Sequence, residues 1–216
     1  MYRTLRQLRY DVGDPTLDLT LPPRGQQVAR PLTPEEVTLC RACAQTLPGR
    51  RGWTRASAWA LGEAGAISSE ITQVRIGDLD DPEDPTRVRL PGTRRVNPRE
   101  VPLTGWARHV LTYRVELLTR AGTGGPQTLL AYGGAAAPDG AKAQSSVCNA
   151  LREVMYAAGL GAEPDVRPSS LRHWAGRSAY DAGMPLEQVA VLLGHRSLNP
   201  TATDIALNWT AKEAQR

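Results

Sequence analysis

The chain contains no phenylalanine, and aromatic residues make up only 5% of its 216 residues. A core built from it must be filled by Trp, Leu, Val and Ala. Only three cysteines occur, Cys40, Cys43 and Cys148, too few for a disulfide scaffold. No stretch approaches 18 consecutive apolar residues, so no membrane span is expected. The opening MYRTLRQLRYDVGD lacks the apolar core of a signal peptide. The expectation is a cytoplasmic protein with no membrane partner. Lysine is nearly absent as well: of 26 Lys and Arg residues, only Lys142 and Lys212 are lysine.

What is present is a globular composition with a basic balance. The formal charge is +4 and the sequence pI about 9.2, which suits a polyanionic partner without requiring one. The arginine excess is attributed chiefly to codon usage in a GC-rich genome, although guanidinium forks also match phosphate oxygens. The Cys-x-x-Cys of CRAC raises redox or metal chemistry. No second pair and no nearby His completes a zinc set, and Cys40 is in helical phase with Val37, Ala44 and Leu47. The two cysteines are therefore expected to be packed small side chains, and no metal or cofactor is implied.

Along the chain, residues 3–10 suggest the end of a helix, followed by an extended, proline-broken linker to about residue 30. Thr33, Pro34 and Glu36 form a capping box with proline at the first helical position. An Ala-rich helix closed by Gly65 follows, then a helical turn at SSEITQV. TRVRLPGTRRVNPREVPLT predicts a small antiparallel sheet with a basic turn. Further helices are expected at about 104–121, 144–159, 168–183, 186–194 and 200–214, with Gly183 and Gly194 as C-terminal caps. The fold class is mainly α with a small antiparallel β-sheet (α+β), in one domain over 31–216 preceded by an arm, residues 1–30.

The informative stretch is LRHWAGRSAYDAGMPLEQVAVLLGH, from Leu171 to His195. It sets an Arg-His pair at one helix start and a Gly-His pair at the next helix end. Taken singly, Arg172 could pair with Asp181 or Glu187, and His195 could cap orphan carbonyls. Thr201 and Thr203 carry hydroxyls nearby, with no base evident beside them.

Together with AGAISSEITQVRIGDLD, REVPLT and RPLTPEEV, this stretch resembles the catalytic domain of the tyrosine recombinase (phage integrase) family over about residues 31–212. The resemblance implies a pocket in which two arginines hold a DNA phosphodiester, a Lys and one or two His move protons, and a Tyr attacks phosphorus. No metal takes part in that chemistry. Arg172 matches the second Arg and His195 the second His. Ser169 stands where the first His belongs. Ile67, three residues before the matching acid Glu70, stands in place of the first Arg. Arg94 or Arg95 occupies the Lys position, and Arg holds its proton too tightly for a general acid. The nucleophile window holds Asp204, Ile205 and Ala206, with Ala206 the best match. No Tyr follows Tyr180, which is expected to be a packed aromatic.

With four of six roles altered, the resemblance implies an integrase-like protein that binds double-stranded DNA but is inactive alone in strand cleavage. The phosphate-binding candidates are Arg172, His195, Arg94, Arg95 and Ser169. The role is that of a regulator or helper of recombination. The alternatives are a subunit of a mixed recombinase whose partner supplies the Tyr in trans, and a decayed integrase with no selected role. Residues 1–30 would be the last helix and linker of a missing upstream clamp. The tail LNWTAKEAQR, with Trp209 as anchor, would dock on an active recombinase or on a second copy.

Overall fold

The computed structural model describes residues 29–47 and 52–207. Eight α-helices are described: α1 (Pro34–Thr46), α2 (Gly52–Glu63), α3 (Ser68–Ile71), α4 (Gly105–Arg120), α5 (Ala141–Ala157), α6 (Pro168–Asp181), α7 (Leu186–Leu193) and α8 (Leu198–Asp204). Between α3 and α4 lie two antiparallel strands, β1 (Arg87–Leu90) and β2 (Arg99–Pro102). Val88 pairs with Val101 in their register. The architecture is the α+β arrangement expected from the sequence.

Local chemistry explains the element ends. Thr33 accepts from the Glu36 amide at 3.2 Å, and the Glu36 carboxylate accepts from the Thr33 amide at 2.8 Å. Two donors left over at the start of α1 are thereby satisfied. Thr104 caps α4 through the Ala107 amide at 3.1 Å. Gly194 closes α7 at φ 70°, and an added Cβ there would lie 2.9 Å from the Asn97 carbonyl oxygen.

α2 is the central helix and packs against α1, α4, α5 and α6. Its Trp59 is fully buried, with Leu61, Leu111, Leu130 and Leu171 in the same core. The indole nitrogen donates to Glu63 at 2.9 Å. The same carboxylate takes two bonds from Arg41 of α1 and one from Thr104. One buried acid thus joins three helices. Gly62 permits the α2–α6 crossing, since a Cβ there would come within 2.5 Å of Leu171 Cδ2. A second cluster of Leu186, Val189, Leu193 and Ile205 holds α7 and α8 onto α6.

Cys40 lies in the main core with Val37 and Ala44 on the inner face of α1. Burial pushes its thiol pKa up to about 12, as expected for a packing residue.

Two boundaries differ from expectation. α5 begins at Ala141, ahead of 144, because the extended Gly140 starts the helix there. The last described helix spans Leu198–Asp204, two residues ahead of the expected start at 200 and closing before residue 207, while the rest of the expected range to 214 lies outside the described residues. It stops because Ala206 enters the left-handed region at φ 52°. The Ala206 amide then returns to Thr203 O, and the Leu207 amide to Ala202 O at 2.8 Å. This is a Schellman closure with alanine where glycine is usual. The expected helix at 3–10 and the tail from residue 208, including Trp209, lie outside the described residues.

Candidate phosphate pocket

α6 carries Arg172 inward, 6% exposed. Its Nη1 donates to Gly65 O at 2.6 Å, beyond the end of α2, and its Nη2 to Leu193 O at 2.6 Å, in the last turn of α7. Nη2 also meets His195 Nε2 at 3.0 Å. Two of the five guanidinium N–H groups are thereby spent on carbonyls, and a third faces His195 Nε2, which accepts it only when the ring proton sits on Nδ1. Nε–H and the second Nη1 hydrogen have no partner among the described residues. Burial, and then the nearby charge of Arg99, push the Arg172 pKa down to about 10, against the pull of Glu70 and Asp204. At neutral pH the group stays charged. The pairing with Asp181 or Glu187 entertained from sequence is not made, since Asp181 takes Arg177 at 2.8 Å.

His195 follows the left-handed turn of Gly194. Its Nδ1 lies 2.8 Å from Thr201 Oγ1, and its Nε2 lies 3.3 Å from Asp204 Oδ2. The other oxygen of Asp204 lies 3.4 Å from His173 Nε2, whose ring is fixed at Nδ1 by Ala29 O at 2.9 Å. Asp204 therefore sits between two imidazoles. Burial opposes its charge, but the hydrogen bond from His195 and the charges of His173, His195 and Arg172 outweigh that effect. They hold the carboxyl below its usual range. Contrary to expectation, a base does stand beside Thr201, because the start of α8 folds back under His195.

A cavity of about 350 Å³ opens beside Arg172, lined in part by Ile67, Ser169 and Arg172. Ile67 heads α3, where its amide donates to Glu70 at 2.9 Å. Ser169 sits in the first turn of α6. Arg94 and Arg95 are exposed at the tip between the strands. That tip is tied to the same region, because the Asn97 amide donates to Gly194 O at 2.9 Å and Arg196 reaches Asn97 at 3.3 Å. Neither Arg94 nor Arg95 lines the cavity. Ala206 is exposed in the turn closing α8. The residue that α8 turns toward His195 is Asp204, nine positions after it. Tyr180 packs, partly buried, against the second cluster.

One pair was not anticipated as a pair. Arg99, at the start of β2, donates to Glu70 at 2.7 and 3.1 Å, to Gly65 O at 2.8 Å, to Leu192 O at 2.7 Å and to Asn97 O at 3.1 Å. The two side chains are 4% and 0% exposed. The strand alternation was the available signal, since Arg99 shares an inward face with Val101. Gly65 O thus accepts from both Arg99 and Arg172. Among the described residues, no group of three or more His, Cys, Asp or Glu is placed to hold a metal ion.

A model of the phage integrase family matches residues 39–208. Among solved structures, the chain is similar to XerA recombinase, with a TM-score of 0.67 and 18% identity over 98% of this chain and 69% of that one. It is also similar to XerH site-specific recombinase bound to palindromic difH substrate in a post-cleavage complex, with a TM-score of 0.65 and 17% identity over 95% of this chain and 57% of that one. A lambda integrase dimer bound to a COC′ core site gives a TM-score of 0.60 and 18% identity, over 85% of this chain and 50% of that one. The chain thus spans between about half and two thirds of these proteins' lengths. No curated protein matches it.

Proposed function

The chain belongs to the phage integrase family, and from that premise we propose that it is a DNA-binding, recombinase-like protein that does not cut DNA by itself. One observation carries this reading. The cavity keeps Arg172, with His195 behind it, while the first-Arg and first-His positions are Ile67 and Ser169. Loss of one proton-transfer group costs about 10²–10⁴ in rate. Loss of the nucleophile removes the covalent route altogether. Among the described residues, the positions facing His195 offer Asp204 and Thr201, and none offers a phenol.

What remains suits holding a phosphodiester: a charged guanidinium with unspent N–H donors at the edge of a cavity, and two exposed arginines on the adjoining turn. The protein's role is to occupy recombination-site DNA as a regulator or helper, alone or beside an active recombinase that supplies the Tyr. Its partners are double-stranded DNA and such a recombinase or a second copy of this chain. No described helix is long and apolar enough to cross a membrane.

The test uses a nicked suicide duplex that traps any covalent intermediate. The chain alone is expected to give no adduct stable to denaturing electrophoresis, and an adduct would overturn the inactive reading. Adding the chain to an active relative and finding that relative's adduct increased supports the helper role. In a mobility-shift assay, Arg172→Ala is expected to weaken duplex binding. An unchanged shift removes the phosphate-pocket reading.

A further inference from the structure

The cavity beside Arg172 has a lining that neither the sequence motif nor the family resemblance assigned. Besides Ile67, Ser169 and Arg172, it includes Ser68 of α3, Cys148 and Arg152 of α5, and Arg167 just before α6. Three arginines therefore face one opening, and no carboxylate does. The carboxylates nearest to Arg172 are engaged elsewhere, Glu70 by Arg99 and Asp204 by the two histidines. Arg152 and Arg167 are exposed, and neither side chain has a hydrogen bond or ion pair among the described residues. They come from separate elements, so their meeting at this opening is a product of the fold rather than of one charged run. Unbalanced guanidinium groups around a cavity favour an anion there, since nothing in the protein neutralises them.

We propose that Arg152 and Arg167 complete the phosphate clamp that Ile67 leaves open, holding from α5 and the α6 entrance the same DNA phosphodiester that Arg172 holds from below. This rests on the DNA-binding reading above. Ile67 withdraws a guanidinium from the wall and leaves the cavity open, and the two rim arginines supply charge to the same opening from other elements. Ser68 and Ser169 add hydroxyl donors to the same opening. The clamp binds and orients a backbone phosphate and performs no bond-breaking step.

The test is fluorescence anisotropy of a labelled duplex at several salt concentrations, with wild type, Arg172→Ala, the pair Arg152→Ala/Arg167→Ala, and the triple variant. The pair lies on the surface and leaves the core untouched. It is expected to weaken binding about tenfold or more, the size of one lost charge-assisted contact. The log–log salt slope should become shallower by less than about 0.9, the release expected for one whole phosphate, because Arg172 still holds that phosphate in the pair variant. Because all three arginines share one phosphate, the triple variant should bind little worse than Arg172→Ala alone. Strict additivity would overturn the shared clamp, as would a pair that binds like wild type.

Cys148 in the same wall supplies a readout that does not depend on Arg172→Ala folding. Duplex DNA is expected to slow alkylation of Cys148 in the wild type, followed by mass spectrometry, and to lose that protection in the pair variant. Equal protection in both overturns the proposal. If the wild type fails to bind duplex at all, the DNA-binding reading itself falls; if Arg172→Ala binds as wild type, the phosphate-pocket reading falls and the clamp with it.

Discussion

Replacing Arg99 with alanine tests whether the buried Arg99–Glu70 pair organises the region around the cavity. The side chain removed is 4% exposed and bonded to one carboxylate and three backbone carbonyls, while its partner Glu70 is fully buried. Arg99→Ala leaves Glu70 with the Ile67 amide as its remaining donor. Breaking one side of such a pair costs about 3–5 kcal/mol, because the remaining charge stays buried and uncompensated. Against a total stability of about 5–15 kcal/mol for a domain, that is a large share. With a urea m value of about 2 kcal/mol/M, the midpoint should fall by about 2 M. The five tryptophans make intrinsic fluorescence a direct monitor. Arg99→Met combined with Glu70→Leu removes both charges while keeping volume, and should cost less than Arg99→Ala alone. It still forfeits the bond to Ile67 N, a capping interaction of about 1 kcal/mol. A midpoint shift under about 0.5 M for Arg99→Ala, or a double variant less stable than the single one, would refute the reasoning.

The remaining expectations concern other parts of the same region. Asp204 has a folded-state pKa below its ordinary value, so its contribution is complete above the unfolded value of about 3.9 and is lost as pH falls through the lower folded value. Asp204→Asn should therefore flatten the acid limb of the stability profile, measured as urea midpoints between about pH 5 and pH 2; a limb parallel to wild type would contradict this. Ala206→Gly should stabilise by about 1 kcal/mol, since alanine holds φ 52° at the close of α8 and glycine meets no Cβ penalty there. Thermal melts of the two proteins compare them directly, and a lower melting temperature for the variant would count against the Schellman closure. In native protein Cys43 and Cys148 should be alkylated while Cys40 reacts only on unfolding, because burial raises its thiol pKa to about 12. Mass spectrometry of each peptide reads this, and equal labelling of all three would place Cys40 outside the core.

Elements with local signatures were legible from residue order. The capping box at Thr33, the glycine that ends α7 and the Ala-rich α2 each depend on neighbours within a few positions. That Arg172 and His195 meet was legible only through the resemblance, since each taken singly also reads as an ordinary helix-end residue. Arg99 was not, since its partner Glu70 lies 29 positions away, and an Arg opening a strand commonly faces solvent. Arg152 and Arg167 were hidden for the same reason: only the packing of α5 against the start of α6 brings them to one opening. The end of α8 was misjudged because alanine is a strong helix former, and nothing local announced that the chain would turn left-handed there. Asp204 stood in the nucleophile window, but only the folded chain shows that its carboxylate lies between two imidazole rings.

Gly65 O receives a guanidinium from β2 and another from α6, and the second of these reaches on to Leu193 O. Arg172 is in effect a rivet joining the helix that carries it to the end of α2 and the last turn of α7, as well as part of the wall of a pocket. Ile67, Ser169 and Ala206 span no such joint with their side chains. A chain with this wiring can shed the groups that serve only reaction chemistry and remain a well-formed object, whereas exchanging the rivet would loosen the architecture itself.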